Sequence, residues 1–107
     1  MARIAAVAPD LFFASKIDAT LRAAGHDVEL IQPASAGDAT ADVLIVDLDS
    51  AGADVATPPG VPTLGFYSHV DVDTRRRAEE AGFDLVVPRS RLAREGSDLV
   101  ERLIQQS

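Results

Sequence analysis

The sequence predicts an α/β fold with a five-stranded parallel sheet. Apolar segments of strand length alternate with amphipathic segments or short loops along the whole chain, which is the pattern of α/β proteins. Val43–Val46 is an unbroken branched and aliphatic run, as in strands that are covered on both faces. A chain of 107 residues with 47% hydrophobic content can bury one modest core. We therefore expect a single domain over residues 1–107.

Five segments have the composition of strands. The central one lies in the stretch Ala41–Ser50, where Asp47 follows the apolar run and so stands at the carboxyl end of the strand. Ligands bind at the carboxyl ends of strands in open parallel sheets, so this acid is a candidate site residue. The second strand alternates polar and apolar residues, which predicts a sheet edge with one solvated face. The other four strands are predicted at Ile4–Ala8, His26–Ile31, Pro62–Tyr67 and Asp84–Val87.

Three segments have helical patterns, with apolar residues at helical spacing or capping signals at their ends. Asp10 is placed to cap the first helix, and Gly25 and Gly82 are placed to end the first and second helices. The third helix follows a turn at Pro88–Ser90 and is interrupted near Gly96. The three helices are predicted at Leu11–Ala24, Val72–Ala81 and Leu92–Ile104.

Two of the connections between strands are too rich in small, Gly and Pro residues to form full helices. Pro33–Thr40 can hold one helical turn at best, and Ala51–Val61 contains Gly52, Pro58, Pro59 and Gly60. A crossover between parallel strands usually carries a helix that covers the sheet. We therefore expect the second and third crossovers to be abbreviated and to leave one sheet face thinly covered.

Composition and missing motifs exclude several classes of function. The chain has no cysteine, so disulfides and thiolate sites are excluded, and its net charge of -7 disfavours nucleic-acid and membrane partners. No apolar run is long enough to span a membrane, and the first residues lack a signal-peptide pattern, so we expect a cytoplasmic protein. Glycine-rich nucleotide-binding motifs and nucleophile motifs are also missing, so we expect no enzyme activity.

Three features of the sequence carry a family resemblance. Ala41–Asp47 is similar to a strand that bears a phosphoacceptor aspartate, Ala78–Asp84 is similar to the helix end before a last strand, and Tyr67-Ser68 places a hydroxyl at the end of the fourth strand. In this order and spacing, the chain resembles the receiver domain of bacterial two-component response regulators along nearly its whole length. The resemblance implies a flavodoxin-like fold with strand order 2-1-3-4-5 and makes Asp47 the candidate phosphoacceptor.

The chain departs from this family at the groups that would neutralise phosphoryl charge. A carboxylate accepts a phosphoryl group only when a metal ion and a fixed cation absorb the developing charge. The resemblance implies a magnesium ion held by two acids after the first strand, but those positions fall on Ala8 and Pro9. Asp10 follows them, and we expect it to point elsewhere because it caps a helix. The resemblance also implies a Lys followed by a Pro after the fifth strand, but this chain has Val87-Pro88-Arg89 there. Arg89 is therefore the remaining anion-contact candidate.

Each candidate residue also has a purely structural interpretation. Asp47 can cap local backbone amides, Ser68 can be a turn hydroxyl, and His69 can be an exposed loop residue. Ser68 and His69 are also candidates for contact with Asp47. The run Arg75–Arg77 is predicted to form ion pairs at helical spacing, Arg75 with Glu79 and Arg76 with Glu80. Phe12 and Phe13 are predicted to pack in the core or at its edge, and Asp49 is predicted to be a loop residue.

Three functions remain open from the sequence. The first is a pseudo-receiver that acts by protein–protein interaction, through a partner or a homodimer at the Val72–Ile104 face, without a cofactor. The second is a receiver phosphorylated at Asp47, with Arg89 as anion partner, Ser68 as switch hydroxyl and magnesium as cofactor. The third is a domain that binds a small ligand or an anion in the crevice at the carboxyl ends of the strands, next to Asp47.

Overall fold

The computed structural model describes residues 2–51, 55–68 and 72–106. The five strands are β1 Arg3–Val7, β2 Asp27–Leu30, β3 Val43–Asp47, β4 Thr63–Tyr67 and β5 Leu85–Pro88. The helices are α1 Leu11–Ala23, a 3-10 helix at Pro33–Asp38, α2 Leu48–Ala51, α3 Val72–Glu80 and α4 Arg89–Gln106. The strands agree with the predicted ones to within one or two residues at each end.

All five strands pair in parallel, in the order β2-β1-β3-β4-β5, which confirms the predicted sheet. Every residue of β3 is buried, as expected for a central strand of apolar residues. β2 lies at one edge and buries only Val28 of its four residues, as its alternating sequence predicts. Asp47 pairs in register with Phe66 of β4, so the carboxyl ends of these strands open at the same side of the molecule.

The two faces of the sheet are covered unequally. One face packs against α1 and α4, and its core includes Phe13, Leu21, Phe66 and Leu99. The opposite face is covered by the 3-10 helix, α2 and α3, and its core is smaller. Its buried members are Ala5, Val7, Ala36, Leu44, Val46, Leu48, Val55, Ala78, Phe83 and Val86.

The second and third crossovers are abbreviated, as predicted. The 3-10 helix has six residues and buries only Ala36, and α2 has four residues. An open groove of about 540 Å³ lies between the 3-10 helix and the neighbouring strands β1 and β2. The thin cover expected for one sheet face is therefore present at the β2 edge.

Of two predictions about the last helix, one is wrong and one is confirmed. The predicted turn at Pro88–Ser90 is wrong, because Pro88 ends β5 and Arg89 begins α4 directly. Pro88 is tolerated there because β5 is an edge strand and the missing N–H costs no ladder bond on the open side. The predicted interruption is confirmed: Glu95, next to Gly96, has φ −123° and ψ 15°. In the described parts of the chain, no helix combines the length and apolarity needed to cross a membrane.

Three side chains lie differently from their prediction. Phe13 is in the core, but Phe12 is 93% exposed, because adjacent helical residues face different directions. His26, predicted as the first residue of the second strand, lies just before β2; it is buried, and its Nδ1 accepts a hydrogen bond from the Ala2 N–H at 3.1 Å. Arg75 pairs with Glu79 at 3.8 Å, whereas the predicted pair of Arg76 and Glu80 does not form.

Candidate functional site at the carboxyl edge of the sheet

Asp47 is the last residue of β3 and its side chain is fully buried. Its Oδ1 accepts a hydrogen bond from the Asp49 N–H at 3.0 Å, so the carboxylate caps the start of α2. Its Oδ2 faces the guanidinium of Arg89 at 3.9 Å. This geometry corresponds to the structural interpretation of Asp47 as an amide-capping acid, with a cation close to its second oxygen.

Asp10 is the N-cap of α1 and also reaches the crevice. Its Oδ1 accepts from the N–H groups of Phe12 at 3.1 Å and Phe13 at 3.4 Å. Its Oδ2 lies 3.3 Å from Nη2 of Arg89. The expectation that a capping Asp10 would point elsewhere is therefore wrong, because one oxygen caps the helix while the other oxygen faces the crevice.

Arg89 joins these two acids. As the first residue of α4 it extends from the end of β5, and its Nη2 contacts both Asp10 and Asp47. Its guanidinium lies over the Phe13 ring, 4.2 Å from the centroid, a cation–π arrangement. Phe13 in turn packs on Phe66 of β4, with 5.0 Å between ring centroids. Two aromatic rings and two carboxylates thus fix the position of this cation.

Ser68 contacts Asp49 rather than Asp47. The Ser68 N–H donates to Oδ2 of Asp49 at 2.7 Å, and the Ser68 hydroxyl donates to the same oxygen. Asp49, predicted as a loop residue, lies in the first turn of α2 and holds the end of β4 against it. The sequence offered one signal for this role, an acid two residues after a strand-end acid, where a short helix can begin. The other sequence-predicted neighbour, His69, lies outside the described residues.

The side chains do not form a magnesium site as they are arranged in the described residues. Ala8 and Pro9 offer no side-chain ligand, and the Asp10 and Asp47 carboxylates share the Arg89 cation. Magnesium requires several oxygen ligands in near-octahedral geometry. Within residues 2–51, 55–68 and 72–106, no group of three or more His, Asp or Glu side chains is gathered closely enough to hold a metal ion.

Comparisons with known proteins place the fold. No family model matches the chain, and no curated protein sequence is significantly similar to it. Solved structures are similar: NtrX from Brucella abortus in complex with ADP has 16% identity and a TM-score of 0.84 over 98% of this chain, but only 26% of NtrX is covered. The chain therefore spans about a quarter of the length of that protein.

Two further structures match over nearly their whole length. The signal receiver domain of NarL from Mycobacterium tuberculosis has 17% identity and a TM-score of 0.82, covering 99% of this chain and 98% of that one. The phosphorylated cyanobacterial phytochrome response regulator RcpA has 12% identity and a TM-score of 0.77, covering 99% and 96%. The chain has the fold of response-regulator receiver domains, a five-stranded parallel sheet of the flavodoxin-like type.

Proposed function

We propose that this domain is a non-enzymatic regulatory module of the receiver fold that acts through protein–protein contact, without magnesium-dependent phosphotransfer. The observation that carries the proposal is the position of Arg89, which lies between the carboxylates of Asp10 and Asp47. A guanidinium paired with both acids offsets one of their two negative charges and so weakens the electrostatic attraction for a divalent ion there.

The burial of Asp47 supports the same proposal. A phosphoacceptor must approach the phosphorus of a donor in line, but the Asp47 side chain is fully buried. One of its oxygens accepts the Asp49 N–H and the other faces Arg89. Transfer to Asp47 would require this network to open before any donor could reach the carboxylate.

The exposed side chains around the crevice favour recognition by a protein. Phe12 is 93% and Leu11 73% exposed beside Asp10, and Val72 at the start of α3 is 64% exposed. Leu11 and Phe12 are adjacent in sequence, and large apolar side chains next to each other on a surface are typical of protein interaction sites. We propose that the α3 side of the Val72–Ile104 face contacts a second copy or, together with the exposed start of α1, a protein partner, in a cytoplasmic setting.

One observation favours the second candidate, a receiver phosphorylated at Asp47. Arg89 lies 3.9 Å from Asp47, where it could pair with a phosphoryl group as a fixed cation, and the similar structure of RcpA is of a phosphorylated protein. In that case Ser68 would leave Asp49 and act as the switch hydroxyl. Magnesium would then be required as a cofactor.

A phosphodonor experiment separates the two candidates. The protein is incubated with acetyl phosphate and magnesium, and intact mass is measured for the wild type and Asp47→Asn. We expect no phosphoryl adduct on either protein, because Arg89 and burial protect the carboxylate. An adduct on the wild type that is lost in Asp47→Asn would establish the second candidate, and an adduct of another small molecule would favour a ligand-binding domain.

An arginine variant tests the electrostatic argument directly. In Arg89→Gln the two carboxylates lose their shared cation, so we expect magnesium to raise the melting temperature of this variant and leave that of the wild type unchanged. The matched control is Arg91→Gln. Arg91 lies on the same helix and pairs with Glu95 at 3.4 Å, so this variant also removes a paired cation. If magnesium stabilises the wild type as strongly as Arg89→Gln, Arg89 does not replace the metal.

A further inference from the structure

The groove at the β2 edge is a sheet surface that lacks its covering helix. It is lined on the strand side by Arg3, Ala5, Asp27 and Glu29, and on the other side by the 3-10 helix. Parallel sheets are normally covered on both faces, and here only Ala36 of the 3-10 helix is buried against this one. The space of about 540 Å³ lies where a full crossover helix would otherwise pack.

The groove carries uncompensated negative charge. Asp27 and Glu29 project from β2 on this face, since Val28 between them packs into the opposite core, and Asp38 adds a third acid from the 3-10 helix. None of these three acids forms an ion pair within the described parts of the chain. Arg3 is the one basic residue of the lining in those parts. A helix with exposed basic side chains would complement this surface.

The chain itself carries such a helix. α3 exposes Arg75, Arg76 and Arg77, and it buries only Ala78, in the core of the same sheet face that holds the groove. Arg76 and Arg77 form no ion pair in the part of the chain that the structure describes. α3 leads into β5 at one edge of the sheet, and the groove lies on β2 at the other edge, so α3 cannot fill the groove of its own molecule.

We propose that two copies of this domain pack face to face, with α3 of each copy in the acidic groove of the other. A two-fold axis along the strand direction, above β3, exchanges the two edges of the sheet while keeping the height along the strands. α3 runs from the carboxyl end of β4 to the amino end of β5, so its arginines, in the middle of the helix, lie at about mid-height of the sheet, at the level of Val28 and Glu29 in β2. The contact is isologous and closed, as in most homodimers.

The outer edge of β2 favours this face-to-face contact over strand addition. Arg22 of α1, which pairs with Asp18 at 2.8 Å, donates from Nη2 to the Val28 carbonyl at 2.6 Å. That bond occupies a backbone acceptor on the open side of the edge strand, which protects it against pairing with another strand. A molecule measuring 34 × 27 × 24 Å has faces large enough for the ~800 Å² per partner that stable interfaces bury.

This inference deepens the proposed function, since it names the second copy as one partner of the α3 region. It is tested by sedimentation equilibrium of two charge reversals. Arg76→Glu/Arg77→Glu reverses α3, and Asp27→Lys/Glu29→Lys reverses the groove. Each variant alone sets like charges against each other at both contacts, so we expect its dimer dissociation constant to rise roughly tenfold or more at low salt.

An equimolar mixture of the two reversals provides the sharpest outcome. In the mixed dimer the acidic groove of the first variant meets the arginines of the second, and the basic groove of the second meets the glutamates of the first. We expect the mixture to dimerise about as tightly as the wild type, which also excludes misfolding of either variant as the cause of the loss. The matched control is Arg94→Glu/Arg102→Glu on the exposed side of α4, which should leave the dimer intact.

Two results would overturn the inference. A wild type that stays monomeric at every accessible concentration would remove the dimer, and a dimer that survives both reversals but is lost in the α4 control would move the contact to α4. Neither result bears on phosphotransfer at Asp47, which the phosphodonor experiment reports separately. Failure of the dimer and failure of the proposed crevice chemistry are therefore distinguishable.

Discussion

The two faces of the sheet differ in how they are covered, and the difference separates the face that supplies most of the stability from the face that keeps open surface. On one face, α1 and α4 bury a large apolar cluster that includes Phe66, Leu99 and Val100. On the other face, short elements and α3 bury smaller side chains, among them several alanines, and leave the acidic groove open. Because buried apolar area is the main source of stability, the first face holds the fold together while the second has free surface to offer a partner.

The largest expected effect comes from truncating one leucine on each face. Leu99→Ala removes a side chain that is 1% exposed between α4 and the sheet, and we expect a loss of about 3–4 kcal/mol in unfolding free energy. Leu48→Ala, on the thinly covered face, should cost about 2 kcal/mol, because short surrounding elements can relax into the cavity. Urea denaturation measures both. Equal costs would break the proposed asymmetry between the faces.

The second comparison adds a methyl group to each face. A Cβ at Gly65 would lie 2.9 Å from both Leu48 Cδ1 and the Phe83 ring, so we expect Gly65→Ala to destabilise the fold by about 2–3 kcal/mol through overpacking. At Gly96 the nearest atoms are 3.7 and 3.8 Å away, which is ordinary contact. Gly96→Ala should therefore be neutral or stabilise by up to about 1 kcal/mol, since Ala favours helix.

Thermal denaturation of the two variants shows whether the close packing is real. If Gly65→Ala is destabilised as expected, the thinly covered face is tightly packed at Gly65 under α2 and open only at the β2 edge. A Gly65→Ala protein as stable as the wild type would show that α2 and Phe83 yield easily, and the open surface would extend further across the face than the groove.

The smallest expected effect concerns His26, which ties the start of β1 to the end of α1. Its Nδ1 accepts from the buried Ala2 N–H, and its backbone N–H donates to the Leu21 carbonyl at 3.0 Å, a bond that a side-chain substitution leaves in place. His26→Ala leaves the Ala2 N–H without its acceptor, for a loss of about 1–2 kcal/mol. His26→Asn retains an acceptor near Nδ1 and should recover part of that loss. If Asn is as damaging as Ala, packing of the imidazole matters more than the hydrogen bond.

The well-covered face and the sheet were largely predictable from the sequence. The apolar run of β3, the capping Asp10 and the glycine after α1 are local signals, and each acts within a few residues of its position. The abbreviated crossovers followed from the Gly and Pro content of the two connections. These features depend on backbone preferences, which a single sequence displays directly.

The arrangement of the crevice was less predictable because it depends on contacts between distant parts of the chain. Ser68 binds Asp49 across 19 positions, and Arg89 reaches Asp10 across 79. The position of the Arg89 side chain also depends on where α4 begins. Pro88 suggested a turn at this point, but the chain passes directly from strand to helix. The two oxygens of Asp10 act separately, so assigning it one role from its position in the sequence missed the second.

We propose above all that Arg89 offsets enough of the negative charge of Asp10 and Asp47 to keep magnesium from binding in the crevice. The most direct measurement is a magnesium titration of the labelled wild-type protein followed by amide-resolved NMR. We predict no saturable shift of the amides of Asp10, Asp47 and Asp49 up to millimolar magnesium. A saturable shift centred on those amides, with loss of the Arg89 contacts, would contradict the account.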